Sequence, residues 1–317
     1  LQSERERAMQ RQIVRLGLFF VLVCGLLAVW APALTAAPRL IQLETRDGIR
    51  NRLLIFRPDH PAAAVILFPD GSGRLELTHV FNQPAIGRDK DIPSALMAGL
   101  LAQNIMIVLP DTPYDHNSHL GLNGWHGSGI FRISADHARD VQEIVAFIRF
   151  RENIPVWLAG IRMGAFSAAN AAIRLGDTVD GLIIAGGITQ CPEQQALLHL
   201  CPEGLMGMNL LDIAVPTLVL SGGNDDPFTG DPYPETMIAS ALSGAPAVRT
   251  RIYPAMVDFE SWSPLPSGPE TLNGVSEERV AWEMVNFIQG NQPVAPGSPV
   301  SPSNPAAPIE CLFVCLY

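Results

Sequence analysis

Residues 156–172 read "VWLAGIRMGAFSAANAA". Val156 to Ala159 is an uninterrupted apolar run, which suits a strand covered on both faces. Ala165 to Ala172 is rich in alanine, the strongest helix former. Between them Gly160 and Gly164 bracket Ile161, Arg162 and Met163. The stretch predicts a strand that turns sharply into a helix, with Arg162 at the corner.

The same grammar recurs on either side. "AAAVILFPDGSG" gives a continuous apolar run, Ala62 to Phe68, that breaks into glycines, and "NIMIVLPD", "GLIIAGG" and "TLVLSGG" are further apolar strands ending in Gly, Pro or Asp. Helical spacing lies between them at Asp91 to Gln103, at Ser134 to Arg149 with Val141, Ile144, Val145 and Ile148 on one face, and at Gly164 to Leu175. Val280, Met284, Phe287 and Ile288 repeat it near the end. Ser134 reads as an N-cap, and His137 in the first turn behind it reads as structural. Upstream, two β-rich runs flank Asp47-Gly48, a hairpin turn pair. The expected fold class is α/β: a mostly parallel sheet with helices on both faces, entered through an N-terminal antiparallel hairpin. Ligands in such sheets bind beyond the carboxyl ends of the strands. The loops "PDGSGR", "DTPYDHNSHLGLNGWHGSG", "GIRMG", "GGNDD" and "YPAMVDF" are therefore expected to share one rim.

Three segments organise the 317 residues. In residues 1–36, Arg11 and Arg15 precede an uncharged apolar run from Leu16 to Trp30 and small residues around Ala36, the layout of a signal peptide, with an uncleaved membrane anchor as the alternative. Residues 37–290 form the α/β domain. Residues 291–317 hold a proline-rich linker and an apolar tail with Cys311 and Cys315. Export to a bacterial periplasm or beyond is expected, with membrane contact only through the N-terminal segment if it stays uncleaved. In an oxidising compartment Cys191 and Cys201 are close enough in sequence to close a disulfide loop. A net charge of -10 with no basic face argues against nucleic acid as a partner. No metal pattern of paired CxxC units exists, and neither a metal nor a cofactor is expected.

From about Leu40 to Gly290 the chain resembles the α/β-hydrolase fold, especially its bacterial exported or dienelactone-hydrolase-like members. The resemblance rests on "ILFPDGSGR" as the oxyanion-side loop, "VWLAGIRMGAFSA" as a nucleophile elbow, and "LVLSGGNDDPF" as the strand and loop bearing the acid. "RIYPAMVDFESW" is similar to the last strand with the loop that bears the histidine. The family's chemistry needs serine, acid and histidine in that chain order. Asp225 matches the acid position. Arg162 stands at the nucleophile position, where a permanently protonated guanidinium has no lone pair for attack. Asp258 stands near the usual histidine position. The chain's histidines are His60, His79, His116, His119, His126, His137 and His199, so none follows Asp225. The resemblance thus implies a carboxylic-ester hydrolase ancestry with a degenerate triad.

Two readings of Arg162 remain open: a turn residue whose side chain pairs with Asp225, Asp258 or a carbonyl, or a guanidinium at a helix N-terminus that recruits a carboxylate or phosphate. Asp70, Gly71 and Ser72, with Arg162, His116, His119 and His126, are the candidate ligand-binding residues. The loop carrying Asp111, Asp115 and those three histidines reads as a polar lid rather than a zinc site, with Tyr114 and Trp125 either stacking on a ligand or anchoring it. Ser167 is expected to pack or bond to the helix backbone. The first functional reading is an exported, non-catalytic pseudo-hydrolase that binds a partner or a small, anionic molecule. The alternative is an active esterase or dienelactone-hydrolase relative with a rearranged set, taking His116, His119 or His126 as base and Ser72 or a water as nucleophile.

Overall fold

The computed structural model describes residues 37–71, 73–87, 93–116, 130–189, 204–222, 234–253, 271–272 and 275–290. Strands β1 (Arg39–Arg46) and β2 (Ile49–Phe56) form the expected hairpin around Asp47-Gly48, pairing antiparallel from Arg39 opposite Ile55 to Arg46 opposite Ile49. The remaining strands of the main sheet are β3 (Ala63–Phe68), β6 (Ile105–Pro110), β7 (Val156–Ile161), β8 (Gly181–Ala185), β9 (Thr217–Gly222) and β10 (Val248–Tyr253). They make one eight-stranded sheet in the order β1-β2-β6-β3-β7-β8-β9-β10. β2 meets β6 antiparallel, and every neighbour from β6 to β10 is parallel.

Continuous apolar runs are explained by what covers them. In β3, β6 and β7 every residue is buried, and successive side chains go to opposite faces. Ala64, Ile66, Met106, Val108 and Leu158 join one core, together with Val141, Ile144, Val145 and Ile148 of helix α2 (Ala135–Glu152). The same core takes in the alanines of α3 (Gly164–Leu175) and Ile238 of α4 (Pro234–Ala241). Val65, Leu67, Ile105, Ile107 and Ile161 join the other, with Leu96, Met97 and Leu100 of α1 (Ser94–Ala102) and Val280 and Met284 of α5 (Glu277–Ile288). Helices therefore cover both faces. Among the described residues no helix is long and apolar enough to cross a membrane.

The sequence-based boundaries hold closely for α3 and within a few residues for α2, where Ser134 accepts a bond from the His137 N–H at 3.1 Å. A second hairpin had no signal in the sequence: β4 (Leu77–Val80) and β5 (Gln83–Ile86) turn through Phe81 and Asn82, whose φ angles are +50° and +64°. Two consecutive left-handed residues are what a tight hairpin demands, and Phe-Asn is an unusual pair to supply them. Two two-residue strands, β11 (Thr271–Leu272) and β12 (Val275–Ser276), precede α5.

Candidate functional site

The chain leaves β3 towards β6 on one side, through α1, and leaves β7 towards β8 on the other, through α3. β3 and β7 are neighbours. Their carboxyl ends therefore flank the point where the connections diverge, the position at which open α/β sheets form a crevice. The residues there are Pro69, Asp70 and Gly71 after β3, and Arg162 and Met163 after β7.

Arg162 has φ +47°, in the left-handed region that costs a side-chain-bearing residue about 1–2 kcal/mol. Its neighbours make that turn possible. A Cβ on Gly160 would lie 2.5 Å from Ala165 Cα and 2.6 Å from Ala165 N. One on Gly164 would run onto the Phe68 carbonyl and lie 2.7 Å from Pro69 O. Both glycines are thus required by backbone packed against them. The corner is tied down at both ends, with the Arg162 N–H donating to Ala185 O at 2.8 Å and Arg162 O accepting from the Ala165 N–H at 3.0 Å.

Asp70 closes the crevice. Its Oδ1 accepts from the Met163 N–H at 3.1 Å, and its Oδ2 lies 3.1 Å from Arg162 Nε. The two side chains are 23% and 40% exposed, so the pair faces solvent. Its loop is held from below by Arg132, a residue the sequence reading passed over. The buried guanidinium donates from Nη2 to Pro69 O and Gly71 O, both at 3.1 Å, and from Nη1 to Ser167 Oγ at 2.9 Å. Ser167, expected to pack or bond to its own helix, is buried and accepts from Arg132, which also holds the loop after β3. The signal for Arg132 was a lone arginine inside the apolar "IFRIS" before the Ser134 cap.

The histidine loop divides between other tasks. Asp111 is buried and accepts from the N–H groups of Leu75 (2.7 Å), Leu77 (2.9 Å), Thr112 (2.9 Å) and Glu76 (3.3 Å). Burial pushes its carboxyl up, and the four N–H donors offset part of that rise. It anchors the entry to the second hairpin rather than lining a lid. Asp111→Ala would leave the fully buried Leu75 and Leu77 amides without that acceptor and is expected to cost about 2 kcal/mol, read as a lower urea midpoint. His116 stacks on Phe131, centroids 4.1 Å apart, with Nε2 3.5 Å from Asp115 Oδ2. Asp115 pairs with Arg46 at 2.9 Å, and Arg46 also reaches the buried Asp140 at 2.8 Å. Burial works against the Arg46 charge, but hydrogen bonds to Asp140 and Asp115 outweigh it and hold the guanidinium pKa above its ordinary value. Tyr114 is 83% exposed.

Behind Phe131 sits His137, buried, edge-on to Phe68 and Phe131 at 5.5 and 5.0 Å. Burial first, then the charges of Arg132, His116 and Arg46, push its pKa down to about 3. It is neutral at ordinary pH and a poor base. It lines a cavity of about 20 Å³, room for one water, together with Asn51, Asp140, Arg132 and Ser167.

Ser72, His119, His126, Asp225 and Asp258 lie outside the described residues, as do all five cysteines, the 1–36 segment and the 291–317 tail. Among the described residues no group of three His, Cys, Asp or Glu is placed to hold a metal.

No protein-family model matches the chain, and no curated protein does. Solved structures do. A soluble variant of monoglyceride lipase from Saccharomyces cerevisiae, in complex with a substrate analogue, aligns with a TM-score of 0.56 at 13% identity, covering 83% of this chain and 98% of that one. Dipeptidyl peptidase 4 of Porphyromonas gingivalis gives 0.54 at 10% identity, covering 81% of this chain and 36% of that one. The acylaminoacyl peptidase of Pyrococcus horikoshii gives 0.51 at 14%, covering 84% and 43%. The chain has the α/β-hydrolase fold. The corner after β7 holds Arg162, and the N–H of the following residue, Met163, is taken by the Asp70 carboxylate.

Proposed function

We propose that this is an exported α/β-hydrolase-fold protein that does not hydrolyse esters through a serine nucleophile and instead binds a small anionic molecule at the Arg162 corner. One observation carries the reading: the residue at the strained corner is an arginine that already grips a carboxylate, jointly with the Met163 N–H. A guanidinium cannot attack a carbonyl, but it is well suited to hold an anion. The sequence supports the same direction, since no histidine follows Asp225. His137, buried and lining the same cavity as Arg132, is held neutral with a low pKa and is not tuned as a base.

The test joins two measurements on the purified protein. Turnover of activated short-chain esters is expected to match a heat-denatured control, with no labelling by a serine-directed covalent probe; clear turnover or labelling would favour the rearranged-hydrolase alternative. Thermal shift with small carboxylates and inorganic phosphate is expected to show stabilisation in the native protein and none in Arg162→Ala. Export is supported by the basic, apolar and small-residue succession in residues 1–36. Sequencing the mature N-terminus after bacterial expression is expected to place a cleavage near Ala36.

A further inference from the structure

We infer that the cavity behind Phe131 is an internal hydration site, where one bound water joins β2 to α2 and α3. The site stands apart from the anion-binding reading, since neither Arg162 nor Asp70 lines it. Two of the side chains that do line it come from different elements, Asn51 from β2 and His137 from the first turn of α2. Asn51 is 3% exposed and His137 8%. Asn51 Oδ1 and His137 Nε2 are enclosed, and among the described residues neither has a hydrogen-bond partner. A buried polar atom left unmet is costly, and the great majority in folded proteins are satisfied by protein or by ordered water. Two such atoms on the wall of one small cavity therefore point to a shared partner inside it.

Size and charge select water as that partner. The volume of about 20 Å³ suits a single water molecule. An anion there would face Asn51 Oδ1 and the Asp140 carboxylate, and a cation would face the Arg132 guanidinium, all on the same wall. A neutral ligand meets neither penalty. Ser167, 1% exposed, supplies a third contact: its Oγ accepts from Arg132 Nη1 at 2.9 Å, which leaves its own O–H proton to give. Water both donates and accepts, so it serves a carbonyl oxygen, a hydroxyl and an uncharged imidazole together. Three bonds are the usual number for a buried water.

The test combines crystallography and solution NMR on the full chain. A high-resolution crystal structure is expected to show a well-occupied water peak within about 3.2 Å of both Asn51 Oδ1 and His137 Nε2. In solution, methyl-labelled Val141 and Ile144, which line the same cavity, are expected to show cross-relaxation with a long-lived water. Asn51→Leu keeps the size of the side chain and removes the acceptor, so that signal is expected to vanish and the urea midpoint to fall. The two native measurements decide the question if the leucine variant folds poorly. A cavity without a peak, a peak bonded to only one of the two atoms, or density that fits an ion would overturn the inference. So would native methyls with no water signal, or a signal of the same strength in Asn51→Leu.

Discussion

Between about pH 6.5 and pH 4 the fold is expected to lose about 3 kcal/mol of stability through His137 alone. The imidazole is enclosed by Phe68 and Phe131, and burial, reinforced by the Arg132, His116 and Arg46 charges, pushes its pKa from 6.5 down to about 3. Below pH 6.5 the unfolded chain takes up a proton at this position that the folded chain refuses. Because the unfolded state binds more protons, stability falls as the pH falls, by about 1.4 kcal/mol per unit, until the folded pKa is reached. Asp111 works the other way: burial raises its carboxyl, so the folded protein accepts that proton more readily than the unfolded chain does, and its contribution offsets part of the loss. The decisive comparison is therefore with His137→Phe, which keeps a ring between the two phenylalanines and removes only the titration. Urea unfolding at half-unit steps from pH 7 to pH 4 should give a native curve steeper than the variant's by close to one proton. Parallel curves would mean that His137 protonates in the folded state.

How much of this was legible in the sequence depended on how local each signal was. The strand-to-helix corner was legible because its cause lies within "GIRMG" and the apolar and alanine-rich runs beside it. The Ser134 cap and the structural role of His137 were legible for the same reason: the cap bond spans three residues. The Asp47-Gly48 hairpin had its turn residues, whereas the Phe81-Asn82 hairpin had only an unusual pair held at positive φ. The partnership of Asp70 with the corner spans 93 residues to Met163, and it exists only because β3 and β7 are neighbours in a sheet whose strand order is not the chain order. Nothing in the composition of either loop encodes that adjacency. Asp111 misled for the opposite reason. In a loop dense with imidazoles and carboxylates it resembled a site residue, yet its oxygens are consumed by four backbone amides, three of them from a segment more than thirty residues earlier.

Gly164→Ala is expected to cost about 3 kcal/mol or more and to remove the corner together with whatever binds there. The added methyl would meet the Phe68 carbonyl and Pro69 O, backbone atoms of β3 and of the loop bearing Asp70, and no side-chain rotation relieves a contact with backbone. Relief would require α3 to move away from β3, opening the buried alanine face that the helix packs into the core. Gly176→Ala is the contrasting case: φ is +53° there, unlike at Gly164, and nothing lies within 4 Å of the added atom, so only the left-handed strain of about 1–2 kcal/mol applies. Because Gly164 carries no such strain, its own loss, read from the urea midpoint at constant slope, measures the contact itself. If Gly164→Ala lost less than about 1 kcal/mol, the close approach of α3 to β3 would be mistaken. Arg162→Gly completes the set. It should recover about 1 kcal/mol of backbone strain while giving up the half-exposed ion pair to Asp70. A corner that folds as well with glycine has no structural need for arginine, so loss of anion binding in that same variant would assign the guanidinium to the ligand rather than to the fold.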